Sequence, residues 1–279
     1  MLKLAYSTLP CEGWTVQKLI GCCLENGYTG IELKEDANYA ITLETSQEEL
    51  EAASRQFREA GIAVTNIGTR VRFSGAEDHE EARLLELKRT IDIAGTLGAK
   101  GVRIMLGNHF KYKSAPPLPL NRERIIELVR EACDYGLPRG VEVWIETHNE
   151  FSTGAVLRHL LDEIGRSNCK VVYDIIHPYE FGESPEVTIR LLGEACAHVH
   201  LKDGVPPHDP DLLDWKYTLT GEGQLPIASI VAILQDSGYN GYYSLEWEPK
   251  WRPELRELPI STEEVISRYT EFMSELAAE

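Results

Sequence analysis

The chain has 279 residues, with 28 basic against 45 acidic side chains and a formal net charge of −17. A surface this acidic repels phosphate backbones, because non-specific affinity for nucleic acid comes from Lys and Arg neutralising phosphates, and nucleic acid is therefore excluded as an expected partner. With 43% hydrophobic and 26% charged residues, the composition is that of a globular domain, not of a disordered, collagen-like or coiled-coil chain.

Taken in chain order, short β-branched runs alternate with longer segments in which apolar residues recur at three and four, the pattern of βα units and a parallel sheet. Strands are expected at 2–7, 30–33, 63–68, 101–106, 141–147, 170–174, 197–201 and 242–246, and helices near 14–26, 47–60, 79–98, 121–135, 153–164, 185–194, 226–237 and 261–277. Eight units of about 35 residues match the size of a (β/α)8 barrel, and no Pro/Gly/Ser-rich linker divides the chain, so a single domain over 1–279 is expected. One phrase recurs where a helix hands over to a strand: Asn26-Gly27-Tyr28-Thr29-Gly30, Leu97-Gly98-Ala99-Lys100-Gly101 and Ser237-Gly238-Tyr239-Asn240-Gly241. Its first Gly suits a left-handed helix C-cap on the bottom of the barrel, where residues serve stability. The longest unpatterned stretches, 108–120 and 204–220, follow the fourth and seventh strands and belong on the top face, where long loops carry function.

The longest apolar runs, such as 171–173 and 196–199, stop far short of the ~20 residues a bilayer requires, so no membrane partner is expected. The opening Met1-Leu2-Lys3-Leu4-Ala5-Tyr6-Ser7 lacks the basic region, apolar core and cleavage site of a secretory signal. The cysteines Cys11, Cys22, Cys23, Cys133, Cys169 and Cys196 show no CxxC spacing and read as reduced thiols of a cytoplasmic protein.

The chemistry gathers at the carboxyl ends of the last four strands. These end Trp144-Ile145-Glu146-Thr147-His148, Tyr173-Asp174-Ile175-Ile176-His177, His198-Val199-His200-Leu201-Lys202-Asp203 and Leu245-Glu246-Trp247-Glu248. Side chains alternate along a strand, so Glu146 shares a facing with His148, His200 with His198 and Lys202, and Glu246 with Ser244 and Glu248. Carboxylates packed into one barrel mouth raise one another's pKa unless a cation neutralises them, and the economical reading is a divalent metal held by Glu146, Asp174, His200 and Glu246. Three carboxylates and one imidazole form a fairly hard set suited to Mn²⁺, Mg²⁺ or Co²⁺, with Zn²⁺ also accepted.

In this order and spacing, the motifs resemble the xylose isomerase-like TIM barrels, the sugar phosphate isomerase/epimerase family with relatives in inositol catabolism, ketose 3-epimerases and endonuclease IV. The marks are Glu146-Thr147-His148, Asp174-Ile175-Ile176-His177, His198-Val199-His200-Leu201-Lys202-Asp203, Gly221-Glu222-Gly223, and Gly238-Tyr239-Asn240-Gly241 leading to Ser244-Leu245-Glu246. The resemblance implies one divalent metal on the top face, a small sugar or sugar-derived substrate, and Glu146 and Glu246 doubling as acid and base. It also implies a homodimer or homotetramer. Removal of a proton next to a carbonyl leaves an enediolate that the metal stabilises. Return of a proton to the opposite face inverts the carbon, as in an epimerase, whereas return to the neighbouring carbon gives an aldose-ketose isomerase.

Secondary candidates for substrate contact are His177, Lys202, His148, Arg103 and Trp247. Arg103 lies between Val102 and Ile104 on the fourth strand, and a buried Arg answers buried carboxylates. His198 reads as a supporting or core group, and Trp247 or Trp251 offers a stacking face to a sugar. The rival chemistries are a lyase or dehydratase expelling a β-hydroxyl from the same carbanion, a non-catalytic sugar-binding barrel, and an endonuclease IV-like nuclease. The nuclease is disfavoured by the acidic charge and by a third strand that ends Ile67-Gly68-Thr69 with no His.

Overall fold

The β-branched and aromatic runs pair edge to edge, and the segments between them coil into helices that shield the resulting sheet. In the computed structural model, which describes residues 2–278, the order begins β1 (Lys3–Tyr6), α1 (Val16–Glu25), β2 (Gly30–Lys34), α2 (Gln47–Glu59), β3 (Ala63–Phe73), α3 (Glu80–Leu97) and β4 (Gly101–Leu106). It continues through α4 (Arg122–Gly136), β5 (Glu142–Glu146), α5 (Gly154–Ile164), β6 (Cys169–Asp174), α6 (Ile176–Glu180), α7 (Pro185–Leu192) and β7 (Cys196–Leu201). The last elements are β8 (Asp203–Val205), β9 (Lys216–Thr218), α8 (Ile227–Asp236), β10 (Tyr242–Leu245), α9 (Pro253–Arg256) and α10 (Thr262–Leu276). Met1 and Glu279, the two ends of the expected 1–279 domain, lie outside the described residues.

Eight parallel strands run in the order β1-β10-β7-β6-β5-β4-β3-β2. The seam between β1 and β2 is closed by a bridge from Ser7 to Glu32 and by the Thr8 amide, which donates to the Glu32 carbonyl at 2.9 Å. The result is a nearly closed (β/α)8 TIM barrel.

Local sequence explains the helix starts. Ser46 and Glu49 form a reciprocal capping box on α2, while Thr15, Asn121, Thr153 and Ser261 each accept the N3 amide of the helix they open. At the bottom of the barrel, Gly98 ends α3 with φ of 74°, a left-handed conformation that costs glycine little. Gly101 then lets the Trp144 indole lie against the backbone, where an added Cβ would stand 2.4 Å from the ring.

Two expectations change. β3 runs on to Phe73 instead of stopping at 68, because Arg70-Val71-Arg72-Phe73 keeps the polar-apolar alternation of a strand across a register shift. Residues 204–220 are not an unpatterned loop: β8 and β9 form an antiparallel hairpin just after β7. This hairpin segment is zipped to the 108–120 loop, since Tyr112 bridges Leu212, the Lys113 amide donates to Asp211 O at 2.8 Å and the Leu213 amide donates to Lys111 O at 2.8 Å. Together the two loops wall the top of the barrel. Among the described residues no helix is long and apolar enough to cross a membrane.

Candidate active site

Strand register brings the acidic and imidazole groups together. Asp174 at the end of β6 lies beside His200 on β7, which in turn lies beside Ser244 on β10. One ligand atom from each of Glu146, Asp174, His200 and Glu246 falls within 4.8 Å of the others, and all four residues are buried. Above them opens a cavity of about 660 Å³, whose floor includes Glu146 and Glu246 and whose walls include Arg103, His148, His177 and Glu248. Asp174 and His200 lie beneath, fully shielded from solvent.

The cluster is wired to cations of the chain itself. Lys202 Nζ stands 2.6 Å from Asp174 Oδ2, 2.5 Å from Glu246 Oε2 and 3.4 Å from Glu248 Oε1. Arg103 Nε lies 3.1 Å from Glu146 Oε2. His200 Nδ1 lies 3.3 Å from Glu246 Oε1 and 3.7 Å from Glu146 Oε1. Arg103 thus answers a buried carboxylate as expected, and Lys202 and His200 add positive charge to the cluster beside any metal. Yet three buried atoms, Asp174 Oδ2, Glu246 Oε2 and His200 Nδ1, make no hydrogen bond of acceptable geometry. Buried polar atoms left this way are costly, and three carboxylates and one imidazole whose ligand atoms lie within 4.8 Å of one another fit a divalent cation.

Ionisation follows from the same contacts. Burial alone would raise Glu146, but the Arg103 guanidinium outweighs it and holds the carboxyl down at about 2. Glu246 is likewise held well below the usual carboxylate range, His200 and then Lys202 overcoming its burial. Asp174 goes the other way: burial lifts it to about 6, and Lys202 and His177 only partly pull it back. Lys202 is kept protonated by Asp174 and Glu246 against its own burial.

The remaining sequence candidates fall in several places. His177 lines the cavity with Nε2 3.4 Å from Asp174 Oδ2 and Nδ1 3.1 Å from Glu180 Oε2. His148 packs against it with ring centroids 4.4 Å apart. Trp247, expected to stack on a sugar, points away from the cavity into the apolar core, because Glu246 and Glu248 take the inward positions of the alternation. Trp251, with 55% of its surface exposed, is the tryptophan that lines the cavity. Gly221-Glu222-Gly223 offers no free cradle of amides, since Asp203 accepts the amides of Gly204 at 2.8 Å, Gly221 at 2.9 Å, Gly223 at 3.0 Å and Leu225 at 3.2 Å.

Two residues were missed. Glu32, on β2, receives a hydrogen bond at 2.7 Å involving His200 Nε2 and stands 3.3 Å from His198 Nε2, so it fixes the ring that turns Nδ1 toward the cluster. Burial alone would raise Glu32, but His200 holds it well below the usual range. Its signal, a lone Glu in the fully buried run Gly30–Lys34, was legible. Lys34, from the same strand, lines the cavity.

A family model described as "Xylose isomerase-like TIM barrel" matches residues 22–267. Fructoselysine 3-epimerase of Shigella flexneri is 24% identical over 177 residues, 62% of this chain and 61% of that protein, so the chain matches less than two thirds of the length of this relative. Inosose isomerase of Bacillus velezensis is 24% identical over 289 residues, covering 95% of this chain and 96% of that one. Among solved structures, the probable 3-DHS dehydratase of Bacillus anthracis superposes with a TM-score of 0.76 over 98% of this chain and 99% of its own at 18% identity, a likeness of fold.

Proposed function

The chain belongs to the xylose isomerase-like TIM barrel family, and from that premise we propose that it is a divalent-metal-dependent isomerase or epimerase of a sugar, keto-sugar or sugar phosphate. The observation that carries this reading is the meeting of Glu146, Asp174, His200 and Glu246 within 4.8 Å, with three of the four each offering a buried atom that lacks a hydrogen bond. These four residues would hold Mn²⁺, Mg²⁺, Co²⁺ or Zn²⁺, and the ion would supply Lewis-acid charge to a carbonyl and its neighbouring hydroxyl.

The chain's own groups handle the proton. Glu146 and Glu246 reach the cavity floor from β5 and from the end of β10, and so approach a bound substrate from different sides. Both are held ionised, the state a base requires, by Arg103, His200 and Lys202. One glutamate takes the proton next to the carbonyl. For an epimerisation the other is Glu246, which receives a proton from the Lys202 ammonium 2.5 Å from its Oε2 and returns it to the opposite face, the lysine being reprotonated from the first glutamate through solvent; return of the abstracted proton by the first glutamate to the adjacent carbon completes an isomerisation. His148 and His177 stand on the wall where they can hold substrate hydroxyls, and the joined loops around Lys113 and Asp211 limit access of water.

A dehydratase reading is favoured by one observation. The Lys202 ammonium, buried beneath the cavity and 2.5 Å from Glu246 on its floor, can supply through that glutamate the proton a departing β-hydroxyl takes.

The test is incubation of ketoses, aldoses and their phosphates with the protein and Mn²⁺ in D₂O. Deuterium should enter next to the carbonyl with wild type and not with Glu146→Gln or Glu246→Gln. Metal analysis should find about one divalent ion per chain, diminished in both variants. Wild type that retains no Mn²⁺, Co²⁺ or Zn²⁺ would sink the reading, and an unsaturated product in place of exchange would favour the dehydratase.

A further inference from the structure

We propose that Lys34 forms the core of an anion subsite, so that the ligand of this cavity carries a carboxylate or phosphate at the end remote from its reacting carbons. The inference rests on reading the cavity as the substrate site. Five cationic side chains line it: Lys34, Arg70, Arg103, Lys111 and Arg252. Four have a carboxylate partner, Asp36 for Arg70 at 3.5 Å, Glu146 for Arg103 at 3.1 Å, and Asp214 for Lys111 at 3.7 Å and for Arg252 at 2.8 Å. Among the described residues Lys34 alone of the five has no carboxylate at ion-pair distance.

Lys34 is not a surface lysine with water as its partner. It is 5% exposed, and its ammonium makes a single long hydrogen bond, to the Gly68 carbonyl at 3.4 Å. An ammonium has three donors, so two N–H groups remain for a ligand. Burial, and after it the Arg103 charge, push Lys34 down to about 7, and the more distant carboxylates of Asp36 and Glu35 only partly offset this. Taking a charge out of water unpaired is costly, and a fold accepts that cost where a ligand supplies the missing partner.

Position supports the assignment. In the strand order, β2 stands across the barrel from β6, so Lys34 faces the cavity from the wall opposite Asp174. A small ligand with its carbonyl over the acidic cluster therefore turns its far end toward Lys34. Carboxylate and phosphate share the chemistry an ammonium recognises, and the test separates them.

The experiment is calorimetric titration of the full chain with inorganic phosphate and, separately, with propionate, for wild type, Lys34→Met and Lys34→Arg. Wild type should bind at least one of the two anions, Lys34→Met at least tenfold more weakly, and Lys34→Arg within about threefold of wild type. Preference for phosphate marks a phosphorylated ligand, and preference for propionate an acid. Thermal melting separates this from a structural role: Lys34→Met should melt at or above wild type, because an unpaired buried charge has been replaced by an apolar chain of similar shape. Equal affinity in wild type and Lys34→Met, no binding of either anion by wild type, or a lowered melting temperature in Lys34→Met would each overturn the subsite. Metal retention is independent of these readouts, so loss of the anion subsite leaves the isomerase reading standing, and a wild type without metal removes that reading alone.

Discussion

Lys202→Met removes the one ammonium that touches Asp174, Glu246 and Glu248 together, at 2.6, 2.5 and 3.4 Å. Without a metal, the variant leaves two fully buried carboxylates short of a cation, and breaking a buried pair from one side costs about 3–5 kcal/mol. At roughly 2 °C per kcal/mol for a chain of this size, the metal-free variant should melt about 6–10 °C below wild type. A divalent ion in the four-residue cluster restores the missing positive charge. Saturation to about a hundred times its dissociation constant adds about 2.7 kcal/mol to any fold that binds it, and the variant, with no competing ammonium, should gain more than wild type does. The assay is differential scanning calorimetry of both proteins, chelated and then loaded with Mn²⁺. If the chelated variant melts with wild type, Lys202 is not neutralising the cluster. If Mn²⁺ raises the variant no more than wild type, the ion and the ammonium do not share those carboxylates, and the assignment of the metal site fails.

Glu32→Gln keeps the shape of the group that meets His200 at 2.7 Å but removes its charge, and should weaken Mn²⁺ binding by about 10–100-fold with little change in fold, measured by competition with a chelating dye. Lys34 gives a pH dependence. Its folded pKa of about 7 lies below the ordinary lysine value of 10.5, so the unfolded chain binds more protons between them and wild-type stability rises with pH across that window. The slope approaches about 1.4 kcal/mol per pH unit, so the advantage of Lys34→Met in urea unfolding should be full below about pH 7, fall as the pH rises, and vanish toward pH 10.5; a constant difference would show that Lys34 titrates normally. Asp203→Asn removes a carboxylate that accepts four amides and should cost about 3 kcal/mol by urea denaturation while leaving metal content intact. Metal loss in that variant would place the Gly221–Gly223 turn in the binding site rather than beneath it.

The linear sequence by itself determined the barrel. Its eight apolar runs and eight periodic helices are local signals, and α3, expected at 79–98, occupies Glu80–Leu97 because its turn glycine, Gly98, acts within a residue of the helix end. Alternation along one strand likewise determined that Glu146 shares a facing with His148, and Glu246 with Glu248. The same alternation turns Trp247 away from the cavity that Glu246 and Glu248 line. Only the tertiary structure decided which groups meet across strands. Glu32 and His200 are 168 residues apart, and nothing near either predicts their 2.7 Å contact. The same holds for Lys202, whose close contacts with Asp174 and Glu246 and longer one with Glu248 depend on the register of three strands. Periodicity is written in neighbouring residues, whereas the partners of a buried charge are chosen by the closing of the sheet, and so the scaffold was legible before the electrostatics of its mouth.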